Sequence, residues 1–189
     1  MMDDAFVQQS REYLRDEYLN KITRAIAPLT REQVWWRANE ASNSIGNLML
    51  HLAGNIRQWI VGGVGGGTLT RDREREFATR EAVPVDVLVA ELTAAVEESC
   101  AVLARLEAQV RLDPAVLMEP REIQRFQTTV LGAIYHAVEH FSMHTGQIIL
   151  LAKMQTGRDA GFYRLRPDGT PEPTWTESRP FNRGTEARS

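Results

Sequence analysis

The amino-acid sequence predicts an all-α protein, a four-helix bundle followed by an irregular C-terminal extension. Three observations carry that prediction. Four long stretches repeat apolar residues at spacings of three and four, the period of one helix face. The prolines and glycines that break helices fall between those stretches, and no convincing run of strands interrupts them. Helices with one apolar face must bury it against each other, and four of them close into a bundle. The bundle is expected over residues 1–156 and the extension over 157–189.

The first stretch runs from Asp4 to Ala27, with Phe6, Tyr13, Leu14, Tyr18 and Ile22 on one face, and Pro28 ends it. Thr30 followed by Gln33 has the form of a capping box, so a short helical piece carrying Trp35 and Trp36 is expected next. The second long helix opens at Ser42-Asn43-Ser44, repeats Ile45, Leu48, Leu52, Ile56, Trp59 and Ile60, and stops at the glycines Gly62–Gly67. That glycine run follows a helix and lacks the Gly-Lys-Ser/Thr that would hold phosphate and magnesium, so it reads as a connection. The charged stretch Arg71–Glu76 after it reads as a solvated segment of mixed sign. Pro84 suits a first helical position, and Leu88, Leu92, Ala95, Val96, Val102 and Leu106 continue a third helix to about Val110. Leu112–Gln127, with Pro114 and Pro120, reads as an irregular connector. Gln127 or Thr128 is expected to cap the longest helix, which reaches about Gln155 with Gly157 just beyond. The extension has four prolines and no helical period, yet Phe162, Tyr163, Leu165, Trp175 and Phe181 are too apolar for a solvated tail. Most of it should dock on the bundle or on a neighbouring subunit, with the last few residues loose.

Composition narrows the function. A net charge of −3 over 189 residues argues against nucleic acid, which calls for a basic domain or stripe. The start Met1-Met2-Asp3-Asp4 is acidic where a signal peptide is basic, and no apolar run approaches a membrane span, so a cytoplasmic protein with no membrane partner is expected. Cys100 is the single cysteine; on the apolar side of the third helix it reads as a small buried residue, not a nucleophile.

Chemistry is concentrated in the histidines. All four lie on two predicted helices, His51 on the second and His136, His140 and His144 on the last. Imidazoles at i and i+4 sit roughly 6 Å apart on one face and can point at one ion. Three in a row cannot converge, because the outer pair is about 12 Å apart along the axis. A second helix must therefore contribute, and His51 is the histidine left to do so. Three neutral imidazoles with an open fourth position make the ligand set of a catalytic zinc-type site. His136 reads as a solvated or supporting residue one turn before the pair His140 and His144. Glu139 reads as a surface acid. Asn47, His51 and Asn55 form a polar line at i, i+4 and i+8, so either asparagine is a candidate for orienting His51 or a substrate; Trp59 is a candidate pocket wall, though core is the simpler reading.

The segment Ser44-Ile45-Gly46-Asn47-Leu48-Met49-Leu50-His51-Leu52-Ala53-Gly54-Asn55-Ile56-Arg57-Gln58-Trp59, together with His140-Phe141-Ser142-Met143-His144-Thr145-Gly146-Gln147-Ile148, resembles the DinB/YfiT-like superfamily of metal-dependent enzymes. The stretches Arg71-Asp72-Arg73 to Glu76-Phe77 and Pro180-Phe181-Asn182 also look like one uncharacterised branch of it. The resemblance implies a DinB-like four-helix bundle, often dimeric, with a metal held by one histidine of the second helix and two of the fourth, here His51, His140 and His144. It also implies an activity related to S-transferases and isomerases that use low-molecular-weight thiols. The expected protein is a metal-dependent transferase or hydrolase acting on a small molecule. Its cofactor is a divalent ion, zinc first and nickel or iron otherwise, which lowers the pKa of a bound water or thiol. The competing expectation is a non-catalytic dimeric bundle, a stress-related interaction protein in which any metal is structural or incidental.

Overall fold

The computed structural model describes residues 2–80 and 83–175. The chain is mostly helical, with a few short strands. Helix α1 (Met2–Glu12) widens through a π-helical stretch (Tyr13–Leu19) and continues as α2 (Asn20–Ile26). The wide turn aligns residues five apart, and the rings of Tyr13 and Tyr18 stack with centroids 5.5 Å apart. It also brings Tyr13 to the surface, whereas spacing alone put it on the buried face with Leu14 and Ile22.

Helix α3 (Arg31–Trp35) starts with the expected Thr30–Gln33 capping box. Trp35 packs against Gly46, where a Cβ would stand 2.7 Å from its ring, while Trp36 lies at the surface. Helix α4 (Ile45–Ile56) is capped by Ser44, whose hydroxyl accepts from Asn47 N while the Asn47 side chain accepts from Ser44 N. A second π-helical stretch (Arg57–Val64) buries Trp59 and Ile60 and ends among the glycines, with Gly66 at φ 74°.

The charged segment is not the solvated connection that its composition suggests. It forms helix α5 (Arg73–Ala78), capped by the Asp72 carboxylate accepting from Arg75 N at 3.0 Å, and it packs on α4. Helix α6 (Val85–Leu112) has Pro84 as its cap, one position earlier than expected. The connector is ordered too: a 3-10 turn (Pro114–Met118), then strands β1 (Pro120–Ile123) and β2 (Phe126–Thr129), paired antiparallel from Pro120↔Thr129 to Ile123↔Phe126. The two turn residues, Gln124 and Arg125, have φ of 52° and 69°. Helix α7 (Val130–Thr156) is capped by Thr129 rather than Gln127 or Thr128, and closes on Gly157 in the left-handed conformation.

The core lies where α6 meets α1 and α4, and where α7 meets α2 and α4; Leu14, Met49, Ile56, Leu92, Leu103 and Phe141 are sealed in it. Beyond Gly157, strands β3 (Tyr163–Leu165) and β4 (Pro171–Pro173) form a second hairpin. Arg24 donates to the carbonyls of Ala160 and Thr174 at 3.1 and 2.8 Å, and Lys21 Nζ sits 4.0 Å over the Trp175 ring. The described part of the extension therefore docks on α2 of its own chain, while Phe181 and the final residues lie outside the described residues. Among the described residues, no helix is long and apolar enough to cross a membrane.

Candidate metal centre

Residues far apart in the chain meet where α4 faces α7. One ring nitrogen each from His51, His140 and His144 lies within 4.8 Å of the other two. The Nε2 atoms of His51 and His140 are 3.1 Å apart. Tetrahedral nitrogens bound to an ion at about 2.0–2.1 Å stand roughly 3.4 Å from one another, so the closest pair already matches that spacing.

The outward nitrogens fix which atoms face the centre. His51 Nδ1 is 2.9 Å from Glu76 Oε2, and His144 Nδ1 is 2.7 Å from Gln147 Oε1. Both oxygens only accept, so each Nδ1 carries the proton and each Nε2 turns a lone pair inward. Arg71 Nη2 also lies 3.0 Å from His51 Nδ1, but a guanidinium only donates; its role is to complete the carboxylate. It does so as a fork, with Nε 2.6 Å from Glu76 Oε1 and Nη2 2.7 Å from Oε2, while Nη1 donates to Gln58 Oε1. With the His51 proton committed to Glu76, at most one proton can lie between the two facing Nε2 atoms. A cation in their midst fits this donor set. The buried Nδ1 of His140 has no hydrogen-bond partner among the described residues.

Burial sets the electrostatics. It pushes the His140 imidazole down to about 3, helped by the neighbouring His144 and His51, and it lowers His144 and His136 as well. These rings are neutral at neutral pH, the state in which they donate to metals. For Glu76, burial alone would raise the pKa, but hydrogen bonds from Arg71 and His51 outweigh it and hold the carboxyl below its ordinary value.

Two further features assemble this arrangement. Asn47 Nδ2 donates to the carbonyls of Glu76 and Thr79 at 2.9 and 3.0 Å, tying α5 to α4. A Cβ at Gly54 would collide with Glu76 Oε1, so the absence of a side chain there lets the Arg71–Glu76 pair lie against the helix. Asn47 thus acts on His51 through the backbone of α5. Asn55 is buried one turn beyond His51, and its Oδ1 has no partner among the described residues. Trp59 is nearly buried and packs its ring against that of His136, tilted by 37° with centroids 3.9 Å apart, and His136 lies 5.5 Å from His140 by the same measure. Glu139 is exposed and Cys100 is buried, as their surroundings in the sequence suggested.

Sequence reasoning missed Glu76, Arg71 and Gln147. The last had a local signal, the i, i+3 spacing from His144. Glu76 and Arg71 had none that distinguishes them from the other charges in their run.

A family model described as "Protein of unknown function (DUF1572)" matches residues 2–164. No curated protein and no solved structure matches the chain.

Proposed function

The chain belongs to the DUF1572 family of proteins of unknown function, and from that premise we propose that it is a metal-dependent enzyme of DinB-like four-helix-bundle architecture. His51, His140 and His144 would hold one divalent ion, zinc first and nickel or iron otherwise. One observation carries the reading: three buried or half-buried imidazoles share a centre, and two of them are tied back by acceptors on the opposite nitrogen. The contacts of α6 with α1 and α4, and of α7 with α2 and α4, support the bundle.

A bound divalent ion supplies Lewis-acid polarisation and makes a thiol or water more acidic, so that a nucleophile is ionised near neutral pH. The chain does the rest. Glu76 takes the His51 Nδ1 proton as a hydrogen bond and so raises the basicity of Nε2. Arg71 keeps that carboxylate ionised, and Gln147 fixes the ring of His144. Burial keeps the rings of His140 and His144 unprotonated. The reaction class that suits such a centre is transfer to, or hydrolysis of, a small electrophile, with a low-molecular-weight thiol as the candidate co-substrate.

The test is elemental analysis of protein purified without an immobilised-metal column. We expect about one divalent ion per chain, and loss of that ion in His140→Ala with helical content retained. Metal-free wild type, or full occupancy in the variant, would refute the assignment. Thiol-transfer assays on the loaded protein then address the reaction.

A second reading, a non-catalytic dimeric bundle with a structural or incidental metal, is favoured by the outer face of α7. Leu131, Tyr135, Met143, Leu150 and Met154 are all exposed there. A metal sealed from every exogenous ligand in a stable homodimer would support that reading instead.

A further inference from the structure

Helices α4, α5 and α6 and the loop Leu69–Asp72 bound a cavity of about 400 Å³, an ordinary volume for a small-molecule site. Its lining includes Arg71 and Glu76 and none of the three histidines. Leu50, Ala53, Leu69 and Val83 supply apolar walls. The charges of the lining are largely spent on one another. Arg71 forks onto Glu76, and Arg57 donates to Glu91 and, at 2.7 Å, to Glu98. The Asp72 carboxylate is engaged at the start of α5, where it accepts from Arg75 N. What remains uncommitted is mostly donors. The exposed Arg75 guanidinium makes no hydrogen bond or ion pair to another described residue. Gln58 Oε1 accepts from Arg71 Nη1 at 2.7 Å, which occupies the amide oxygen and leaves the amide nitrogen with hydrogens to give.

We propose that this cavity binds a small amphiphilic monocarboxylate, its head on Arg75 and its hydrocarbon body against Leu50, Ala53, Leu69 and Val83. Donors without acceptors call for a ligand that brings acceptor oxygens, and a planar carboxylate meets a guanidinium with two parallel hydrogen bonds. Arg57, Arg71 and Arg75 balance Asp72, Glu76 and Glu91, so the lining has no surplus of positive charge with which to hold a dianion. One negative charge is what Arg75 can answer. The apolar walls set the rest of the ligand: each methylene that leaves water against them adds affinity, so a medium-length chain gains where acetate does not. The site does not depend on a metal at the three histidines.

Dissociation constants are measured by isothermal titration on the protein as purified, with octanoate, butanoate, 1-octanol, octylammonium and inorganic phosphate, each kept below the concentration at which it forms micelles. Octanoate should bind about tenfold or more tighter than butanoate, and about fivefold or more tighter than 1-octanol or octylammonium. Arg75→Gln removes an exposed charge and no printed contact of the fold; it should weaken octanoate about fivefold and leave 1-octanol as it was. Leu69→Ala should weaken octanoate and 1-octanol alike, by about threefold. Octanoate no tighter than butanoate or octylammonium, phosphate as tight as octanoate, or an octanoate affinity unchanged by either substitution would overturn the assignment; the last is what a carboxylate sitting on a metal would give. If no metal is found and the octanoate pattern holds, the cavity assignment stands and the metal reading alone fails.

Discussion

Glu76 shows how much one side chain outside the histidine cluster can govern. Its carboxylate meets His51 on one side and the Arg71 fork on the other, all three side chains being nearly buried. Glu76→Gln keeps the shape but removes the charge that makes His51 a better donor. Metal affinity should fall about 10–100-fold with helicity intact, as competition against a chelator would read. Cys100 yields a prediction of a different kind. Burial pushes its thiol up to about 11, and the guanidiniums of Arg15 and Arg11 offset this only in part. The unfolded chain releases that proton from about pH 8.5, so the folded state holds more protons over the interval between. Stability therefore falls as pH rises through that window. Denaturant titrations at pH 8 and pH 10.5 should show the wild type losing on the order of 1 kcal/mol more than Cys100→Ala. The histidines were legible in the sequence because helical spacing is a local property. The partner of His51 was not, because which of several adjacent charges turns inward is decided by α4 and by the gap at Gly54.

Among the elements, the long helices were readable from their apolar period and their stops, and Thr30–Gln33 and Gly157 behave as their residue types dictate. The first hairpin was not readable. A two-residue turn with both residues at positive φ is normally written with asparagine and glycine, and here it is Gln124-Arg125. Non-glycine residues in that conformation cost roughly 1–2 kcal/mol each. The double substitution Gln124→Asn, Arg125→Gly should therefore stabilise the protein by about 1 kcal/mol and raise Tm by about 2–4 °C. An unchanged Tm in calorimetry would show that the turn is not strained. The π-helical stretches escaped the sequence reading for a related reason: an i→i+5 turn is an insertion in winding, without a residue type of its own.

At the scale of the whole molecule, the extension is held by side-chain-to-backbone contacts that composition could suggest but not locate. Its aromatic content pointed to docking; that the acceptor would be α2, through Arg24, could be seen only once the first and last helices lay side by side. Arg24→Ala should release residues 157–175, seen as faster proteolytic clipping beyond Gly157 while the helical part resists. Equal clipping rates in both proteins would show that other contacts suffice. The grip of Arg24 is on two carbonyl oxygens, groups that every amino acid possesses. Such a clasp recognises the path of the main chain and is indifferent to spelling, so the segment between its two anchor points is free to diverge in composition and still come home to the same place.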